Sequence, residues 1–190
     1  TIYDDLKKKN FSSFSYNNLA KSVIAEDIIK GHNSIKKITG QIPDIFRTPH
    51  FGSYSNKNSM NFIYDILFDL GYKFSSSTTP IYSFSKAPFY KTNNIIEVPI
   101  SSCLNKPLQI IDSWAFIGSK DKTEITDLID EMNKYFILME NNTFFLNTYF
   151  DPSDIINYDI FFETLSKFTK WSVNDFGQLN NKETKKNIIN

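Results

Sequence analysis

The sequence has a single cysteine, Cys103, and only two histidines, His32 and His50. One cysteine excludes an intramolecular disulfide and any zinc site built from cysteines. It leaves the compartment open, because a lone Cys is tolerated inside and outside the cell. Net charge is also missing, with 21 basic residues against 21 acidic ones. Nucleic-acid binding needs a clustered basic surplus to displace counterions. The short cluster Lys7 to Lys9 has Asp4 and Asp5 beside it, so nucleic acid is not an expected partner. No apolar run approaches the roughly 18 residues of a spanning helix, and no membrane span is expected. G-x-S-x-G, G-x-G-x-x-G and the P-loop are absent, so neither a serine nucleophile nor nucleotide binding has support in local sequence. Cys103 reads as a small buried apolar residue before it reads as a nucleophile.

What is present is an ordinary globular balance. Apolar residues make up 41% of the 190 and charged residues 22%, enough for one domain with a real core. Thr1 in place of a Met reads as the start of a processed or excised piece. No linker or repeat divides the chain. One domain is expected over residues 1–179, followed by a polar Asn/Lys-rich tail over 180–190 that frays.

Strand and helix patterns alternate. Phe11 to Tyr16 reads as a short strand. Ile24, Ile28, Gly31, Ile35 and Ile38 recur at helical steps, with Gly40 just past the end. Ile45 to Phe46 is a short strand ending in Arg47 and Pro49. A helix follows from about Ser59 to Leu70, closed by Gly71. Tyr72 to Ser76 is the next strand, and the Ser/Thr/Pro stretch from Ser75 to Pro80 its loop. Ile95 to Ile100 is another strand, with a further short one around Ile110 and Ile111. Lys122 to Met139 is the clearest helix, with Ile125, Ile129, Met132 and Phe136 aligned. Thr143 to Phe150 reads as a strand stopped by Pro152, and Asp159 to Phe168 as the last helix. This order implies a parallel sheet covered by helices. Periodicity alone does not separate an open sheet from a barrel.

Arginine is the next scarcity. Of the 21 basic residues only Arg47 is not Lys. Arg brings a planar fork that fixes a carboxylate bidentately, where Lys brings a point charge. Its place at a strand end suits a site, since ligands of parallel α/β folds bind at the carboxyl ends of strands. The plainer alternative is an Arg that ties down a loop.

The run ITGQIPDIFRTPHFG, then a helix and LGYKFSSST, resembles the central motif of the polysaccharide deacetylases (carbohydrate esterase family four, the NodB-homology domain). IIEVPIS at Ile95 to Ser101 is similar to the family's next strand, which often carries E-x-P. FFLNTYFDP is similar to the late strand that ends in His-Pro, and KWSVNDF to the closing segment. The resemblance covers roughly Phe11 to Gly177. It implies a distorted (β/α) barrel, lacking its first strand in this chain. It also implies a place outside the cytoplasm or at the cell envelope, and an N-acetylated glycan as ligand.

The family's chemistry is metal-assisted removal of an acetyl group. A divalent metal, usually zinc, held by Asp-His-His polarises the amide and activates water. A second Asp is the base, and a late His the acid. Aligned to this chain, the paired histidines fall on Ser12 and Tyr16, neither a plausible zinc ligand. The acid His falls on Asp151, which donates a proton only with a strongly raised pKa. TIYDDL resembles the first motif, but it lies too close to Ser12 for the intervening helix, so Tyr3 to Lys9 reads as the end of that helix. No cofactor and no metal ligand set is evident. What the resemblance leaves as site residues is Arg47, His50 and Asp151 for catalysis, with Pro49, Tyr54 and Trp114 for substrate. Two readings compete: a divergent carbohydrate deacetylase, and an inactive relative that binds glycan or a protein partner. A purely structural subunit is a third.

Aromatics are abundant, and sugar clefts stack pyranose faces on rings. Trp114 in DSWAF and Tyr54 stand where such a platform is expected, although most rings serve the core. Asp112, two residues before Trp114, is a candidate carboxylate or a turn Asp. His32 reads as an exposed helix residue between Gly31 and Asn33.

Overall fold

The structure is a computed structural model and describes residues 2–4, 9–11, 16, 19–49, 57–83, 89–118, 124–141 and 146–168. It is mixed α/β, with parallel strands in its largest sheet. The chain divides into two compact units, Thr1–Ile100 and Ser101–Asn190. Among the described residues no helix is long and apolar enough to cross a membrane.

The first unit opens with β1 (Ile2–Asp4) and β2 (Lys9–Phe11), paired antiparallel with Ile2 opposite Phe11. This corrects the expectation of a helix end at Tyr3 to Lys9. Four residues between the strands suffice for an antiparallel return, which needs no crossover helix. The strand expected over Phe11 to Tyr16 does not extend to Tyr16, whose carbonyl accepts from Leu19 N at 3.2 Å; Ser12 lies outside the described residues.

Helix α1 (Lys21–Thr39) ends as its sequence implies. Gly40 takes φ 71°, and its N–H donates to Lys36 O, the left-handed cap that glycine adopts without a Cβ penalty. The covered face differs from the expected one. Ile24, Ile28 and His32 are buried, whereas Ile35 is exposed and Ile38 is 83% exposed. The spacing of four puts His32 under Ile28 on the same face. His32 is 7% exposed and packs 5.5 Å from the Tyr72 ring, correcting its reading as a surface residue.

The sheet of this unit runs β3 (Ile45–Phe46), β4 (Phe74–Ser75), β6 (Ile95–Glu97), β5 (Tyr90–Thr92). The first three strands are parallel, and β5 returns antiparallel on β6. Helix α2 (Lys57–Asp69) makes the crossover from β3 to β4. Its Ile63 and Leu67 are fully buried, each contributing about 2 kcal/mol by area. Gly71 (φ 86°) then turns the chain into β4. The β5–β6 hairpin was not anticipated. Its signal is Asn93–Asn94, both at positive φ (43° and 62°), the backbone a two-residue hairpin turn requires. Asn93 also donates to Asp65 Oδ1 on α2 at 2.9 Å. The short helix α3 (Pro80–Ser83) follows β4.

The second unit begins with the hairpin β7 (Ser102–Cys103) and β8 (Lys106–Ile110), followed by a π-helical turn, Trp114–Gly118. Helix α4 (Ile125–Asn141) buries Leu128, Ile129, Met132 and Tyr135 against Phe116, Ile111 and Phe161. Phe161 belongs to α6 (Asp159–Ser166), and Ile155 of the short α5 (Pro152–Ile155) closes the cluster. The strand expected over Thr143 to Phe150 is corrected where it is described. Residues 146–150 form no strand; they make a parallel bridge from Tyr149 to Asp112, and Asn147 O accepts from Ser101 N at 2.8 Å. Side chains add to this pairing: Ser101 Oγ accepts from Asn147 N at 3.0 Å, and Thr148 Oγ1 donates to Ile111 O. Hydroxyls that bond locally offer the backbone this alternative to sheet pairing.

Candidate functional site

Arg47 and Pro49 follow β3 at its carboxyl end, as expected for a site in a parallel α/β fold. The Arg47 fork meets the loop after β4: Nε donates to Ser76 O at 3.2 Å and Nη2 to Ser76 Oγ at 2.8 Å. Thr48 N donates to Ser77 Oγ at 3.0 Å. The Ser/Thr stretch that sequence assigns to an ordinary loop is in fact buried from Ser75 to Thr78. Its backbone is satisfied by continued sheet pairing, with Val98 N on Ser75 O at 2.8 Å and Ile100 N on Thr78 O at 3.0 Å.

At the centre of this shelf is a residue that sequence reasoning did not single out. Glu97, the last residue of β6, is 0% exposed. Its Oε1 accepts from Ser77 N at 2.8 Å, and from Thr78 N and Thr78 Oγ1 at 2.9 Å each; Oε2 accepts from Tyr64 OH at 3.1 Å. A buried carboxylate is costly unless its lone pairs are met, and here all the donors come from neutral groups. Burial, and next the Glu97 charge, push the Tyr64 phenol well above its ordinary range. Tyr90 is raised for the same first reason, with the Glu97 charge adding to it. The available signal was the Glu-x-Pro at Glu97 to Pro99, at the carboxyl end of a strand beside a Ser run.

In the second unit, Trp114 and Asp151 are brought to one corner. Ser113 Oγ accepts from Asp151 N at 2.8 Å, and Trp114, next in the chain, is 60% exposed. Asp151 is an exposed residue at the N-cap of α5, before Pro152. Asp112 is 2% exposed and accepts from Ala115 N at 2.7 Å, so it does serve as a turn Asp. Burial raises its carboxyl above the ordinary 3.8, and the charges of Asp151 and Asp154 add to the shift; hydrogen bonds from Ala115 N and Tyr149 oppose it.

The same unit has a surface cavity of about 270 Å³, walled by Cys103, Lys106, Phe116, Glu131 and Lys134 among others. Glu131 accepts from Leu104 N at 3.0 Å and from Lys134 Nζ. Burial, then the Glu131 charge, push the Cys103 thiol up to about 11, so this cysteine is a poor nucleophile at neutral pH.

Tyr16, one of the two positions aligned with the family's histidines, donates its phenol to Asp27 Oδ2 of α1 at 2.6 Å and packs on the first core. Ser12, His50 and Tyr54 lie outside the described residues, as do Asp5 and the side chain of Asp4. Among the described residues no group of three or more His, Cys, Asp or Glu side chains is placed to hold a metal ion. Compared with protein-family models, with curated proteins and with solved structures, the chain matches none.

Proposed function

We propose that this chain is a divergent polysaccharide-deacetylase-type domain that binds an N-acetylated glycan. Its α/β architecture would be that of the family's distorted (β/α) barrel without the first strand. The observation that carries the reading is the exposed indole of Trp114 beside Asp112 and Asp151. An exposed ring offers a stacking face to a pyranose, and the exposed carboxylate of Asp151 accepts from sugar hydroxyls; buried Asp112 holds the turn that carries the ring. Arg47 supports the family resemblance by its position at the end of β3, where it holds a loop through Ser76. Asp151 takes the place of the acid His at the start of α5 and serves glycan binding. Tyr16, bonded to Asp27, has a structural task in place of metal ligation.

The test is calorimetric titration of the chain with N-acetylglucosamine oligomers, repeated on Trp114→Ala. Saturable binding that the variant loses is the expected result. Equal binding by both proteins, or none by either, overturns the reading. Deacetylation is the second reading, favoured by Arg47 at a strand's carboxyl end. It requires close to one divalent metal per chain in elemental mass spectrometry and acetate release from the same oligomers.

A further inference from the structure

The sole arginine is fixed by a carboxylate that it does not touch. We infer that Glu97 is the positioning residue of the shelf at the ends of β3, β4 and β6, holding Arg47 in place through Ser76, Ser77 and Thr78. The chain of contacts is short. Glu97 Oε1 gathers Ser77 N, Thr78 N and Thr78 Oγ1 at 2.8 to 2.9 Å. The backbone so fixed presents Ser76 O and Ser76 Oγ to the Arg47 fork, and Ser77 Oγ to Thr48 N. Ser75 Oγ donates to Ser77 Oγ at 2.9 Å and completes the shelf. Tyr64 OH, on α2, holds the second oxygen of Glu97 at 3.1 Å and prevents the carboxylate from rotating away.

Three features make this a positioning device and not only a filled core site. First, Glu97 is 0% exposed, and a hydrophobic residue there would avoid its desolvation cost. Second, two of its four donors are consecutive backbone N–H groups, so the carboxylate dictates local backbone direction and not merely side-chain packing. Third, the loop it sets is the one that the arginine fork reads. A fork with two parallel N–H bonds is sensitive to a shift of under an ångström, where a lysine would follow the change. The importance of Arg47 to ligand binding rests on the proposed function; the coupling of Glu97 to Arg47 does not.

That separation defines the experiment. The chain has one Arg, so the ¹⁵N spectrum of the whole protein has one Arg Nε–H resonance. Its exchange rate with water is measured in the parent, in Glu97→Gln, and in Ser76→Ala as the direct cut of the Arg47 anchor. Glu97→Gln keeps the size and one acceptor oxygen but loses the charge that strengthens all four bonds. Exchange about tenfold faster in Glu97→Gln is expected, in line with the loss of charge-assisted bonding. A rate equal to the parent's in a folded variant overturns the inference. Thr78→Val, which removes one donor to Oε1, is the second variant should Glu97→Gln fail to fold; faster exchange there supports the coupling and an unchanged rate overturns it. Glycan titration of the same proteins is read separately. Faster exchange with unaltered glycan affinity leaves the coupling standing and removes Arg47 from the binding reading.

Discussion

The two units each bury a carboxylate, and they do it in opposite ways. In the first unit Glu97 lies among two backbone N–H groups and two hydroxyls. In the second, Asp112, two residues before Trp114, has bonds from Ala115 N and Tyr149, and Asp151 and Asp154 as like-charged neighbours. Burial is the first cause of the raised Asp112 carboxyl, and its like-charged neighbours add to it. The first arrangement organises a loop. The second leaves a carboxyl that is reluctant to ionise beside an exposed ring.

The contrast predicts its own largest test. Glu97→Ala leaves four buried donors without an acceptor and is expected to cost about 4 kcal/mol in denaturant unfolding. Asp112→Ala orphans fewer donors and relieves repulsion, so about 1 kcal/mol is expected. Equal losses would mean that the donor count around Glu97 is not what stabilises the first unit.

Next in size is the thiol of the second unit. Raised from 9.0 to about 11, Cys103 has a neutral-pH thiolate fraction roughly 100-fold below that of an ordinary cysteine. The more basic thiolate is also the better nucleophile, so its reaction with a disulfide reagent at pH 7 should be slower by about tenfold from the shift and by more from burial, and denaturant should abolish the difference. Fast labelling of the folded chain would show that the wall of the 270 Å³ cavity opens.

The pH dependence of Asp112 is smaller, and its sign is fixed. The folded carboxyl titrates above 3.8, so on raising the pH the unfolded chain releases this proton first. Stability is lost from about pH 4 upward, until pH passes the folded value. Asp112→Asn removes that loss while keeping an acceptor for Ala115 N. Its stability curve should be flatter than the parent's on the alkaline side of pH 4, and parallel curves would count against a carboxyl raised by burial. The smallest effect is expected from Trp114→Ala. An indole 60% exposed should cost less than about 0.5 kcal/mol. A larger loss would place Trp114 in packing and weaken its candidacy for a sugar platform.

Much of the element order was legible. The steps of four through Ile24 and Ile28, the αL glycines at 40 and 71, and the apolar face of Ile63 and Leu67 each carry a local physical cause, and each appears as read. Arg47 was legible as a site candidate through composition and its strand-end position. The failures share a different cause. His32 and Ile38 exchange their expected environments because the helix pattern states which residues share a face but not how far along that face a core extends. The 146–150 segment is as apolar as a strand, yet its backbone pairing stops at one bridge and one bond from Ser101 N, and the hydroxyls of Ser101 and Thr148 supply further bonds. Glu97 escaped notice because a Glu in a strand says nothing of the donors that will converge on it.

By itself the sequence determined the order of α1, β3, α2 and β4, the glycine-capped helix ends, the singularity of Arg47 and the lack of a cysteine zinc site. These follow from local geometry, composition and side-chain chemistry. Only the tertiary structure decided that a Ser/Thr loop is buried, that Glu97 collects its donors from residues 64, 77 and 78, and that Arg47 spends its fork on Ser76. Hydrogen-bond partners 19 to 33 positions apart are brought within 3.2 Å by sheet register, and no local pattern in the chain encodes that register.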